Sequence, residues 1–267
     1  MILIDFNEIA MSKLMESRIG YRNYKRFKNV VFSTLCMYDK KFREEYGEMV
    51  ICADGLSWRH EVFPYYRHTR NFERKFQQDT GFVNWSGIFS SFDEILNEID
   101  KHFHWKVVRH SRAEASDVIS TLVMNNKTSD QNKKIMEKIM IISDDEKYNQ
   151  LQKYLSVSQY FPYRKRVIAG KYPIEHYLLR DIIYGDVGNS IPNILSSDDV
   201  FVSENRQKLI PEIRYWKIIE NKNRLKEYLS ENEYRNFERN RQLFDHTQLP
   251  SDIYSEILNI YFHAHNE

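Results

Sequence analysis

Six acidic residues, Asp5, Asp54, Glu114, Asp117, Asp145 and Asp186, stand where short apolar runs end or where the helical patterns after them begin. Carboxylates gathered at one edge of a sheet repel one another, and a hard divalent cation with oxygen ligands is the usual remedy. Mg2+ or Mn2+ suits such a set better than zinc, and the chemistry it most often serves is phosphodiester cleavage. The competing reading is that acids at these positions cap helices, as Asp and Glu commonly do. Glu114 and Asp117 lie three apart, so on a helix both can face one crevice.

The elements that must position these acids follow from periodicity. Four apolar runs, 2–4, 49–52, 105–108 and 139–142, alternate with helical patterns. This predicts an α/β fold with a mostly parallel central sheet flanked by helices. In such open sheets ligands collect outside the carboxyl ends of the strands. Tyr24, Phe27, Val31, Leu35, Tyr38, Phe42 and Tyr46 recur on one helical face, with Gly47 as its stop. Ser91 and Glu94 read as a capping box before the stripe Phe92, Ile95, Leu96, Ile99 and Phe103. Tyr148, Leu151 and Leu155 suggest a further helix, and 157–160 a strand that completes a sheet of about five. From Pro173 the pattern turns helical, over 174–182, 210–219, 225–243 and 253–261. The expected division is an α/β domain over 1–170, with an arch-like segment at 59–90, and a helical region over 171–267.

Bulk properties narrow the partners. The 39 basic and 38 acidic residues leave a net charge of +1, so polyanion binding has to come from local patches. Aromatic residues make up 14% of the 267, against 8 Gly and 6 Pro, which fits a compact chain with few linkers. Cys36 and Cys52 fall at expected core positions without metal-ligand spacing, and read as free thiols of a reducing cytosol. No apolar run approaches the ~20 residues of a membrane span, and the first residues are too short and uncharged for a signal peptide. A cytoplasmic monomer with no membrane partner is expected.

Segment 59–76 carries Arg59, Arg67, Arg70, Arg74 and Lys75 against Glu61 and Glu73, with Tyr65, Tyr66, Phe72 and Phe76 interleaved. Cations for phosphates and rings for bases suit a grip on a single strand; a solvated helix face with aromatics in the core is the plainer alternative. Arg164, Lys165 and Arg166 suit a hairpin turn, either near a duplex or merely solvated. His263 and His265 are expected to be exposed, and the nine His form no ligand cluster.

Together, Ile2-Leu-Ile-Asp5, Val50-Ile-Cys-Ala-Asp54, Phe63-Pro-Tyr-Tyr-Arg67, Ala113-Glu114-Ala-Ser-Asp117, Ile141-Ile-Ser-Asp-Asp145 and Gly185-Asp186-Val-Gly-Asn-Ser-Ile-Pro192 resemble the 5′ nucleases, or flap endonucleases. Within them the likeness is to the RNase H proteins of T-even-type bacteriophages, and it spans nearly the whole chain. The resemblance implies a Mg2+-dependent 5′→3′ exonuclease and flap endonuclease with RNase H activity, which removes RNA primers and adjacent DNA from lagging-strand fragments. Flapped or branched DNA and RNA–DNA hybrid would be its substrates, the infected host cell its setting, and a single-strand binding protein or sliding clamp its candidate partners. Asp5, Asp54 and Glu114 would hold a first metal, Asp117 would support them, and Asp145 and Asp186 would be what remains of a second metal site. Arg67 would face the scissile phosphate with Arg70 beside it, and 187–194 would open a helix-three-turn-helix element that holds duplex backbone.

The likeness also marks three departures. Ser116, Lys147 and Asn189 stand where the family has acids, which should cripple the second metal site. Asp144 and Glu146 repeat the expected two-residue spacing and offer a shifted register, although Gln150 and Leu151 fit the family pattern without a gap. A catalytically impaired homologue that binds branched DNA is therefore the second reading. A phosphatase-like hydrolase on a similar sheet is the third, and the arch-like basic segment argues against it.

Overall fold

The computed structural model describes residues 1–16, 24–128, 137–167, 174–203 and 205–264. The chain divides into two units: unit 1 comprises Met1–Ser57, Asn84–Lys171 and Pro250–Glu267, and unit 2 comprises Trp58–Val83 and Tyr172–Leu249. Segment 58–83 thus groups with the C-terminal helices, and the last helix groups with the sheet. A contiguous cut near 170 runs differently, and residue 170, like Pro173 and His265, lies outside the described residues.

Unit 1 is built on a six-stranded sheet: β1 (Ile2–Asp5), β2 (Met49–Ala53), β3 (Lys106–Arg109), β4 (Ile139–Ile142), β5 (Val157–Phe161) and β6 (Arg166–Val167). Their order is β3-β2-β1-β4-β5-β6, parallel except for the last pair. β1, β2 and β4 are buried at every residue, as strands covered on both faces must be, which explains their unbroken apolar runs. The sixth strand escapes sequence reading because two residues have no period. It forms the hairpin expected at 164–166, with Lys165 at a φ of 53° in the turn.

The chain runs β1 to β2 to β3 on one side and then returns to pair β4 against the other edge of β1. The order of strands reverses at β1, and crevices open at such switch points, outside the carboxyl ends of the strands. Asp5 ends β1, Asp54 follows β2, and Asp145 follows β4.

Three local expectations change. Helix Trp85–His102 begins before Ser91, because the Asn84 side chain accepts from Gly87 N at 3.0 Å and caps it earlier. Ser91 instead lies within the helix and donates to Gly87 O at 2.8 Å. Cys36 is exposed on helix Tyr24–Tyr46, one position off its buried stripe, while Cys52 is buried in β2. The helix expected around Tyr148 is a tighter 3-10 segment, Glu146–Lys153, from which Leu155 is fully exposed.

Unit 2 is helical, with Arg59–Val62, His68–Asp79, Ile174–Tyr184, Glu212–Glu220, Leu225–Tyr228 and Glu231–Phe244. The expected helix over 225–243 breaks at Leu229, because Ser230 and Glu233 form a reciprocal capping box that starts a new one. Ile182, Ile183, Ile194, Tyr215, Ile218, Leu229 and Phe237 make its main core. No described helix is long and apolar enough to cross a membrane.

Candidate functional site

In unit 1 the acids are positioned by the loops that leave the strands. Asp5 is buried at the end of β1; its Oδ1 accepts from Glu8 N at 3.3 Å and its Oδ2 from the Tyr148 hydroxyl at 2.6 Å. Burial pushes its pKa up to about 6, with Lys147 opposing the rise and Asp54 adding to it. Asp54 accepts from Ala115 N at 2.8 Å and so caps helix Ala115–Thr128. Its own N–H donates to Asn7 Oδ1 at 2.8 Å, and its carbonyl accepts from Arg109 Nε at 2.8 Å. Glu114 and Asp117 are buried together at the start of the same helix, with Glu114 N donating to Asp117 Oδ2 at 3.0 Å.

The next residue after Asp54 makes this arrangement possible. Gly55 N donates to Ala113 O at 2.7 Å and Leu56 N to Ser111 O at 2.8 Å, so the loops after β2 and β3 lie against each other. A Cβ at Gly55 would meet His110 O at 2.1 Å. Only glycine permits that approach, which holds Asp54 beside the N-terminus bearing Glu114.

Asp145 follows β4 and caps the 3-10 segment, with Oδ1 accepting from Lys147 N at 2.9 Å and Oδ2 lying 3.0 Å from Lys147 Nζ. Burial opposes the charge on Lys147, but Asp145, Asp5 and Glu114 outweigh it and hold the ammonium protonated well above the ordinary lysine range. Asp5, Glu114 and Asp145 therefore share one electrostatic neighbourhood, and a cation already stands in it. Ser116 is buried on the adjoining helix and contributes no charge. The shifted register finds no support: Asp144 accepts from Tyr163 N at 3.0 and 3.1 Å, and Glu146 pairs with Arg164 at 3.6 Å, so both are turned to the β5–β6 hairpin.

As arranged, this donor set does not fit a pair of divalent ions. Among the described residues no three His, Cys, Asp or Glu gather as metal ligands. The second oxygens of Asp5 and Asp145, which a metal would use, are turned to a phenol and an ammonium. Glu8, which the sequence reading passed over, belongs to the same pocket; it accepts from Asp144 N at 3.1 Å, and burial together with Asp5 pushes its pKa up to about 7. Its place three residues beyond Asp5 on the following helix was the available signal. Tyr148 carried no signal, since its contact spans 143 residues of sequence.

In unit 2 Asp186 is set by a turn. Gly185, at a φ of 69°, ends helix Ile174–Tyr184, and a Cβ there would meet Ile191 O at 2.3 Å. Asp186 and Ile191 bond reciprocally through their backbones at 2.8 Å, around the 3-10 turn Val187–Asn189. The next helix begins only at Glu212. The Asp186 carboxylate accepts from Asn189 N at 3.2 Å and, in a short contact, from Asn189 Nδ2. Asn189 Oδ1 in turn accepts from Arg67 Nε at 3.3 Å, and its carbonyl accepts from Arg67 N at 2.7 Å. Thr69 N donates to Ser190 Oγ at 3.0 Å. The start of helix His68–Asp79 is thereby fastened to this turn, and Arg70 approaches Gly188 on the same side.

Several expected contacts of the basic segment change. Arg59 is buried and donates to Leu243 O at 2.8 Å, satisfying a carbonyl of the last turn of Glu231–Phe244, so its charge is spent inside. Tyr66 is buried against Phe63, Ile191 and Leu243, and Tyr65 packs partly onto that cluster. The exposed rings are Phe72 at 65%, Phe76 at 63% and, unforeseen, Phe82 at 77%. Lys75 is exposed and Arg70 and Arg74 half-buried on the helix that carries Phe72 and Phe76. His263 is exposed and its Nδ1 lies 2.8 Å from Asn259 O.

Residues 172–266 match the family described as the C-terminal part of T4 RNase H. Ribonuclease H of Enterobacteria phage T4 is 26% identical over 97% of this chain and 85% of its own length. Among solved structures, T5 5′-exonuclease with bound zinc superposes with a TM-score of 0.74 over 99% of both chains at 14% identity. A pseudo-enzyme-product complex of a T5 flap endonuclease variant, with an aspartate changed to lysine and with DNA and metal ions, gives 0.66 over 98% of both chains at 16% identity. Those structures share the fold. In sequence the chain is similar to phage T4 ribonuclease H, and in fold to the T5 5′-exonuclease.

Proposed function

We propose that the chain is a 5′ nuclease of the flap-endonuclease type, hydrolysing phosphodiester bonds in flapped or branched DNA and in RNA–DNA hybrid. The observation that carries it is the placing of Asp5 at the end of β1 and of Asp145 after β4, at the switch point of a sheet whose fold is shared with T5 5′-exonuclease. In unit 2, Arg67 presents a guanidinium steadied by Asn189, suited to a phosphate by its fork geometry. Arg70, Arg74 and Lys75 add positive charge, and Phe72 and Phe76 offer faces for unstacked bases. Primer removal during lagging-strand replication in an infected cell is the biological reading, with a single-strand binding protein or sliding clamp as protein partner. Mg2+ is the expected cofactor, with Mn2+ as a substitute. The assay is cleavage of a 5′-flap duplex with each ion; no product at high protein concentration rules out the activity.

The lysine in the acid pocket favours a second reading, a homologue that binds branched DNA without cutting it. It predicts structure-selective binding in EDTA, and cleavage gained by the combined changes Ser116→Asp, Lys147→Asp and Asn189→Asp. If the unaltered chain cuts as fast as that triple variant, the second reading fails.

A further inference from the structure

The acid pocket of unit 1 carries its own cation, held from two directions. Asp145 accepts from the backbone N–H of Lys147 through one oxygen at 2.9 Å and faces its Nζ through the other at 3.0 Å. The backbone bond fixes where the side chain starts, and the ion pair fixes where it ends. The side chain is 31% exposed, so most of the ammonium's stem is covered. The next residue, Tyr148, donates to Asp5 at 2.6 Å. One short segment thus supplies a cation and a hydroxyl to carboxylates that would otherwise face one another.

Charge balance gives this arrangement a meaning. Exchanging a carboxylate for an ammonium changes the local charge by two positive units, which is the charge a divalent ion would bring. Ser116, buried near Glu114, brings no charge where the resemblance expects a further acid. The pocket is then balanced with fewer ions, and a second divalent ion would meet an ammonium held in place by Asp145.

We propose that the Lys147 ammonium is a resident cation that takes the place of one divalent ion, so that the chain folds with one metal ion fewer than its carboxylates would otherwise gather. This rests on reading the pocket as that of a 5′ nuclease, but it concerns ion number, and its test is separate from cleavage. Calorimetric titration of the full chain with Mn2+ should show one more bound ion per chain in Lys147→Asp than in the unaltered protein; equal stoichiometry overturns the proposal. Should Lys147→Asp fail to fold, Lys147→Met gives the second measurement. In EDTA its melting temperature should lie below that of the unaltered chain, and Mn2+ should raise it by more than it raises the unaltered chain's. An equal Mn2+ shift in both overturns the proposal. A chain that never cuts flaps yet shows these differences would remove the nuclease activity and keep the resident cation; cleavage with equal ion counts would do the reverse.

Discussion

The acid pocket of unit 1 and the Asp186 turn of unit 2 each carry another residue beside the capping acid where the resemblance expects a carboxylate, Lys147 in the first and Asn189 in the second, and the two differ in chemistry. In unit 1 the replacement is a cation placed among acids, with Lys147 bonded to Asp145 and favoured by Asp5 and Glu114. In unit 2 it is a neutral amide that joins an acid to a cation, because Asn189 donates to Asp186 and accepts from Arg67. The first changes the charge of its surroundings and the second relays a hydrogen bond. Similarly spaced departures in sequence therefore do not mean the same local chemistry: one places an ammonium beside Asp145, and the other holds an arginine.

Both regions also rest on a glycine beside the acid, and there the largest effects are expected. Gly55→Ala would press a methyl into His110 O, and Gly185→Ala into Ile191 O and Pro192, all of them backbone atoms that cannot step aside. Each should cost about 3 kcal/mol or prevent folding, read from urea unfolding; a loss below ~1 kcal/mol would show that these loops yield to a methyl group. Next comes Tyr148→Phe, which removes a buried hydroxyl from a carboxylate at 2.6 Å. Loss of a bond to a charged group predicts about 2 kcal/mol, and no loss would mean that Tyr148 does not support Asp5.

Asn189→Ala should be milder, about 1 kcal/mol, because the amide is only part-buried. Its sharper readout is nucleic-acid affinity, which should weaken along with that of Arg67→Ala. If Arg67→Ala alone weakens binding, Asn189 does not position the arginine. A further expected effect is a slope with pH. Glu8 has its pKa raised to about 7 by burial and Asp5, so its favourable contribution is complete below the ordinary glutamate value near 4.5 and is lost as pH rises through 7. Measured without divalent ions, stability should fall across that window, and Glu8→Gln should flatten the fall. An unchanged slope would assign the pH dependence elsewhere.

Much of this was legible in advance for simple reasons. Strands buried on both faces must be apolar throughout, so β1, β2 and β4 announced themselves, and acids at their ends marked the crevice. What the sequence could not separate was capping from chemistry. Asp54, Asp145 and Asp186 all accept backbone N–H groups at the starts of helical segments, which is the plainer reading. Because a carboxylate has two oxygens, capping with one leaves the other available, and only geometry tells where it points. For Asp145 it points to Lys147. The basic segment was less legible, since a list of cations and rings does not say which are inside. Arg59 and Tyr66 turned inward, and Phe82 turned out.

By itself the sequence determined the parallel sheet, the order of its acids and the likeness to phage 5′ nucleases that singled out Ser116, Lys147 and Asn189, because these depend on local periodicity and on residue identity. Tertiary structure alone decided that Lys147 stands within the acid set, that Tyr148 bonds Asp5, that Asn189 reaches Arg67, and that segment 58–83 belongs with the C-terminal helices. Apart from the Lys147 pair, those are contacts between residues more than a hundred positions apart or groupings across such distances. No local pattern encodes them, because what fixes them is the three-dimensional closure of the chain.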